Sequence, residues 1–194
     1  LDVYKRAQAH TGYLNYLKEN DFMNYRLLAT SGCGAEIKLA KNGYIKEGNY
    51  ISFVCNDYLG FTQHPEVKKA AISSIEKYGT GAGASPLIGG YFEFHKVLED
   101  KISSFFKRPK GSTITYTTGY TANSASLLSL LKKDDMAIVD MAVHASVYEG
   151  LLGTTTKRFL HNNTKTLEQI LSIAQNKYRT KMVIVDGVYS QDGD

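Results

Sequence analysis

The sequence has only two cysteines among its 194 residues. Cys33 and Cys55 stand far apart along the chain, without a CxxC spacing and without histidines beside them. This pattern predicts neither a metal site nor a disulfide framework, and it is typical of a reducing, cytoplasmic setting.

Long apolar runs and an excess of one charge are also missing. No stretch approaches the roughly 20 apolar residues of a membrane-spanning helix, and residues 1–10 lack the apolar core of a signal peptide. The 23 basic residues are scattered and nearly balanced by 19 acidic ones, which does not favour a nucleic-acid partner. With 43% apolar residues, the chain can still bury a core. We expect a cytoplasmic globular protein with no transmembrane segment.

Hydrophobic periodicity predicts alternating strands and helices. Pro65 opens one helical pattern and Gly79 ends it, and a looser helical pattern occupies the first thirty residues. The later part of the chain reads as strands separated by helical segments; these strands are 113–117, 136–140, 156–160 and 182–186. Because parallel strands need long crossovers, the fold class is α/β, with a mostly parallel sheet and helices on both faces. An N-terminal helix and small β segment, 1–55, precede the larger domain, 56–194.

Residues just after the strands are the first candidates for a ligand site, because ligands bind beyond the carboxyl ends of parallel strands. Thr118, Gly119 and Tyr120 join a predicted strand to a helix start, where free amides and the helix dipole favour a phosphate. The alternative is a glycine that only turns a tight corner.

Three further residues are candidates, each with a plainer alternative. His144 begins a helix at the same rim and could stack on an aromatic ligand or transfer a proton; otherwise it is a helix-end histidine with a satisfied hydrogen bond. Ser190 follows the last strand, and its alternative is a turn serine. Asn56 could bind a carboxylate, or could form an Asx turn.

The glycine-rich stretch 79–84 satisfies the dinucleotide-binding pattern G-x-G-x-x-A, but its context argues against NAD. That fingerprint requires a strand before it and a helix after it, whereas a predicted helix precedes this stretch and more loop follows. We interpret it as a loop at a subunit interface.

The ordered motifs resemble the α-oxoamine synthases, a family that includes 8-amino-7-oxononanoate synthase, 2-amino-3-ketobutyrate CoA ligase and serine palmitoyltransferase. The resemblance covers most of the chain and is to the N-terminal half of these enzymes. It rests on NDYLG at 56–60, YGTGAG at 78–83, TGY at 118–120, HAS at 144–146, HNN at 161–163 and DGVYSQDGD at 186–194.

The resemblance implies part of the large domain of a fold-type I enzyme that uses pyridoxal 5'-phosphate (PLP). Residues 118–120 would hold the cofactor phosphate, and His144 would stack on the ring and assist acyl transfer as a catalytic residue. Ser190 would lie near the phenolic oxygen, and Asn56 would bind the amino-acid carboxylate. His161 would have a structural role.

The activity implied is condensation of an amino acid with an acyl-CoA thioester, releasing CoA and usually CO2, in a homodimer serving biotin or sphingolipid biosynthesis. The Schiff-base lysine, the aspartate for the pyridine nitrogen and the substrate arginine are expected beyond residue 194, so this chain alone is expected to be inactive. A PLP-dependent aminotransferase and a non-catalytic member without the lysine remain alternatives.

Overall fold

The computed structural model describes residues 2–23, 26–43 and 45–194. The chain forms two compact units, Leu1–Ser85 and Pro86–Asp194. Each is described by itself, and the predicted domain boundary after residue 55 stays a prediction.

Among its described residues, the first unit contains two α-helices, one 3-10 helix and a β-hairpin. Its elements are α1 (Val3–Glu19), β1 (Glu36–Leu39), β2 (Gly48–Ile51), a 3-10 helix (Phe61–Gln63) and α2 (Pro65–Tyr78). The predicted ends of α2 are confirmed: Pro65 stands at its first turn, and Gly79 follows with a φ of 83° that favours glycine. Strands β1 and β2 pair antiparallel, with Glu36 opposite Ile51.

The second unit contains the parallel sheet. Its elements are α3 (Glu93–Phe105), α4 (Gly119–Leu130), β3 (Met136–Asp140), α5 (Ala145–Gly150), β4 (Thr155–Phe159), α6 (Thr164–Ala174) and β5 (Lys181–Ile184). The strand order is β4-β3-β5, all parallel, so β3 is central. Every residue of β3 is buried.

Helices cover β3 on both sides, as its alternating side chains require. Ala137 and Val139 pack in one buried cluster with residues of α4 and α5, including Leu127 and Val147. Ile138 packs on the other side with Phe159 and with Ala174 of α6. The predicted α/β fold with helices on both faces is confirmed.

The strand predicted at 113–117 is wrong. This segment joins no ladder among the described residues, and Ile114 is 74% exposed. The amide and the hydroxyl of Thr115 instead donate to Glu99 Oε1, each at 2.9 Å. The alternating sequence is typical of a strand, but a strand also needs a partner for its backbone groups, and a helix side chain takes that place here.

Two close contacts lie in the body of the second unit, which here means the part away from the carboxyl ends of the strands. Gly150 lies against α4, where an added Cβ would come within 2.8 Å of the Ser124 carbonyl oxygen and 2.9 Å of Leu127 Cβ. Before β3, the buried Asp135 accepts bonds from Arg179 Nε at 2.9 Å and from the guanidinium at 2.6 Å. The Arg179 bonds hold the pKa of Asp135 at about 2.

Among the helices of the described residues, none combines the length and the apolar character needed to cross a membrane.

Candidate active site

The amino end of α4 presents two unbonded backbone amides. Thr118 is the N-cap, and its hydroxyl oxygen accepts a bond from the Thr121 amide at 3.0 Å. Among the hydrogen bonds of the described residues, none is donated by the amides of Gly119 or Tyr120. Both amides lie in the first turn of a 12-residue helix, at the positive end of its dipole. This arrangement binds anions.

Gly119 is not required by the turn at this position. Its φ is not positive, because it is the first residue of the helix, and among the described residues an added Cβ would meet no atom within 4 Å apart from its chain neighbours and its own helix backbone. Open space beside free amides fits the close approach of a phosphate.

His144 lies next to this helix end and is the N-cap of α5. Its Nδ1 accepts from the Ser146 amide at 3.2 Å and lies 2.8 Å from the Ser146 hydroxyl. The backbone donor makes Nδ1 an acceptor, so the neutral ring carries its proton on Nε2. The Tyr120 ring meets the imidazole edge-on, with centroids 5.9 Å apart.

These contacts match the plainer alternative for His144, a helix-end histidine with a satisfied hydrogen bond. They use only one edge of the ring. The Nδ1 edge of the ring is occupied by the helix cap, while the side chain is exposed. No described hydrogen bond involves Nε2, so the Nε2–H remains available to a ligand.

Neighbouring strand ends hold the His144 backbone in place. The His144 amide donates to Asp186 Oδ2 at 2.9 Å, which joins the loop after β3 to the segment after β5. On α5, Glu149 accepts a bond from the Tyr120 hydroxyl. Glu149 therefore raises the pKa of Tyr120, because the protonated phenol is the donor.

Asp140, at the carboxyl end of β3, binds the segments that follow β3 and β4. It accepts bonds at 2.9 Å from the amides of Ala142 and Asn162 and from His161 Nδ1. Burial raises the pKa of Asp140, but these three bonds outweigh it and leave the pKa below its ordinary value. The bond to Asp140 is also the main reason that the pKa of His161 is raised.

His161 is half-buried, and both of its ring nitrogens have carboxylate partners. Its Nε2 lies 3.1 Å from Asp194 Oδ1, and its ring meets the buried Tyr189 ring edge-on at 4.5 Å. Possible ligand atoms of His161, Asp192 and Asp194 lie within 4.8 Å of one another. The spacing alone does not indicate a metal, because both nitrogens of His161 already have carboxylate partners.

Ser190 lies in the turn that these contacts support. The Tyr189 amide donates to the Asp194 carbonyl at 2.9 Å, and Ser190 itself is exposed. No described hydrogen bond or ring contact joins Ser190 to Gly119 or His144. The structure thus brings Thr118–Tyr120 together with His144, and it links His144 to the segment of Ser190 only through Asp186.

Asn56 lies in the first unit and is exposed. The turn that follows it is built by Asp57, whose carboxylate accepts from the amides of Phe61 at 2.8 Å and Thr62 at 3.0 Å. The only described bond to the Asn56 side chain comes from the Tyr58 hydroxyl at a long 3.5 Å. No described bond makes an Asx turn at Asn56, which was its plainer alternative, and the Asn56 amide is accessible to a ligand.

Sequence reasoning missed the residues that support the site from a distance. Asp186 and Asp140 stand at strand ends, where the rule used for the other candidates applies equally, so that signal was present. Gly150 and Glu149 gave no signal, because their importance depends on which face of α5 meets α4.

Comparison with known proteins identifies the family. The family model for aminotransferases of class I and II matches residues 48–194. The 8-amino-7-oxononanoate synthase of Alkaliphilus metalliredigens is 38% identical over 93% of this chain and 46% of its own length. The corresponding enzyme of Alkaliphilus oremlandii is 36% identical, also over 93% of this chain and 46% of its own. The chain thus spans about half the length of the curated relatives it matches.

A solved structure agrees with the sequence relatives. A serine palmitoyltransferase from S. paucimobilis, with a bound PLP–myriocin aldimine, superposes with a TM-score of 0.87 at 25% identity. The superposition covers 100% of this chain and 48% of that one. The predicted partial fold-type I large domain is confirmed. The chain belongs to the class I and II aminotransferase family, within its PLP-dependent α-oxoamine synthase branch.

Proposed function

We propose that this chain carries the phosphate- and ring-binding part of a PLP-dependent enzyme that condenses an amino acid with an acyl-CoA thioester. The reaction releases CoA and usually CO2. The observation that carries the proposal is the pair of unbonded amides at Gly119 and Tyr120, with open space beside Gly119 and the His144 ring next to it. The likeness to 8-amino-7-oxononanoate synthases supports the same reaction class.

The residues at the rim fit the parts of PLP. The amides of Gly119 and Tyr120 would bind the phosphate, with the α4 dipole favouring its charge. The imidazole of His144 would lie on the pyridine ring, and Ser190 would approach the phenolic oxygen. When bound, PLP supplies an electron sink for the charge left by loss of a substrate proton.

The hydrogen bonds of His144 suit a donor role in acyl transfer. The Ser146 amide fixes Nδ1 as an acceptor, so the neutral ring offers its Nε2–H to the substrate. Asp186 holds the His144 backbone through its carboxylate. The neutral ring would therefore donate a hydrogen bond from Nε2–H to the thioester substrate, and donation of a proton would start from the imidazolium.

Asn56 is proposed as the group that binds the amino-acid carboxylate. The support is its exposed amide, which the turn does not use. A homodimer and a cytoplasmic location are further parts of the proposal. They follow from the family resemblance and from the sequence composition respectively.

A spectrum of the full-length protein with PLP tests the cofactor. We expect a visible absorption band, and borohydride reduction should then fix the cofactor covalently to one lysine. A protein that binds PLP without such a lysine would instead be the non-catalytic alternative. A protein without any PLP band would overturn the proposal.

Product analysis tests the reaction class. We expect CoA release that requires both an amino acid and an acyl-CoA. The family model is named for aminotransferases, which makes amino-group transfer the second candidate. Exchange that depends on a keto acid, without CoA release, would establish that candidate.

A further inference from the structure

The two cysteines, which are distant in the sequence, lie side by side in the first unit. Their Sγ atoms are 2.9 Å apart, and both are free thiols. Cys33 is exposed and Cys55 is half-buried. Bonded sulfur atoms in a disulfide are about 2.05 Å apart, so a movement of less than about 1 Å would bring these two into bonding distance.

The register of the hairpin explains why these residues meet. Glu36 pairs with Ile51, and the Ser52 amide donates to the Ala35 carbonyl at 2.8 Å, one step beyond the strands. This bond brings Ala35 and Ser52 together, and Cys33 and Cys55 follow two and three residues further out on the two segments. The backbone of the hairpin therefore brings the two segments to the same end, where the thiols meet.

Other contacts hold the two segments together around the thiols. The Thr62 hydroxyl, which donates to Asp57 Oδ2, also lies 3.5 Å from the Cys33 carbonyl oxygen. The Gln63 side chain lies against Gly32, where an added Cβ would meet Gln63 Nε2 at 2.7 Å. A covalent bond between the sulfur atoms would join segments that already pack on each other.

The hydrogen bond to Cys55 is the main reason that the pKa of Cys33 is raised above its ordinary value. At neutral pH the Cys33 thiol is therefore protonated. Because the thiolate is the attacking species, oxidation through Cys33 should be slow at neutral pH and faster as the pH rises.

We propose that Cys33 and Cys55 form a reversible intramolecular disulfide by exchange with a low-molecular-weight disulfide such as glutathione disulfide. One thiolate attacks the reagent, forming a mixed disulfide and releasing one thiol. The second thiolate attacks the mixed disulfide and releases the other thiol. The protein loses two electrons and two protons, and the reagent gains these two electrons and two protons as it becomes two thiols.

The crosslink ends immediately before Asn56. It ties the start of the segment 56–60 to the loop that leads into β1, and so restricts the backbone of Asn56. An effect on amino-acid binding rests on the proposed function, whereas formation of the disulfide does not.

The test uses the full-length protein, fully reduced, freed of reductant and incubated with glutathione disulfide at about pH 8. Intact mass should fall by two hydrogen atoms, and a proteolytic digest should contain one peptide pair joined through Cys33 and Cys55. Dithiothreitol should reverse both changes. The matched controls are Cys33→Ser and Cys55→Ser, each of which should give no crosslink at these positions.

Three results would overturn the proposal. They are two thiols that stay reduced, separate glutathione adducts on the two cysteines, or a bond between chains seen on a non-reducing gel. Binding of the amino acid to the oxidised and reduced holoenzyme is measured separately. If the crosslink forms and that affinity does not change, the disulfide stands and the effect of the crosslink on amino-acid binding is what fails.

Discussion

The rim of the parallel sheet, at the carboxyl ends of its strands, differs from the body of the same unit in two respects. Its polar groups have fewer hydrogen-bond partners, and its residues are less closely packed. In the body, Asp135 is saturated by Arg179, and Gly150 lies in direct contact with the α4 backbone. At the rim, the amides of Gly119 and Tyr120 have no described partner, and the space beside Gly119 is empty. The body is built for stability, and the rim is left available for a ligand.

Gly150 of α5, in the body, and Gly119 of α4, at the rim, make this contrast testable. Gly150→Ala should lower the free energy of unfolding by about 1–3 kcal/mol, because the added methyl group meets backbone atoms that have no room to move. Denaturant unfolding measures the loss. The matched control is Gly12→Ala in α1, where a Cβ meets nothing within 4 Å; it should keep or raise stability. Equal stability of the two variants would mean that the α4–α5 contact is not tight.

Gly119→Ala should have the opposite profile. The free energy of unfolding without cofactor should be unchanged or higher, because alanine favours the helix and meets no neighbour. The dissociation constant for PLP should rise about tenfold, or roughly 1.4 kcal/mol, because the methyl group occupies the space proposed for the phosphate. Titration of the full-length protein followed by absorbance measures this. Unchanged affinity would remove Gly119 from the phosphate site.

His161 should give the rim its own dependence on pH. The folded-state pKa of His161 is raised, so its stabilising contribution is complete below the ordinary value of 6.5 and is lost as the pH rises through the folded pKa. Stability of the protein should therefore fall over this range relative to His161→Gln. Unfolding curves of both proteins, at pH values below and above this window, measure the difference. Parallel pH profiles would show that the pairing with Asp140 contributes nothing.

The sequence was sufficient where its signals are local. The bounds of β3 were predicted because a run of apolar residues between polar ones is typical of a strand buried on both faces. The ends of α2 were predicted because Pro65 and Gly79 act through their own backbone preferences. His144 was placed beyond a strand end because it follows β3, whereas the strand predicted before Gly119 does not form.

Non-local contacts explain what the sequence did not reveal. Residues 113–117 have a strand-like pattern, but Glu99 on another element takes the Thr115 amide. Cys33 and Cys55 gave no disulfide signal, because their encounter depends on the register of β1 and β2. The importance of Gly150 depends on the close approach of α4 and α5, which the spacing of residues along the sequence does not indicate.

The Gly150 contact also has a consequence for thermal motion. With the backbones of α4 and α5 touching, neither helix can slide along its neighbour without the other. We therefore expect the amides at the start of α4 and the backbone of His144 at the start of α5 to move together, which would keep the spacing offered to a bound molecule nearly constant.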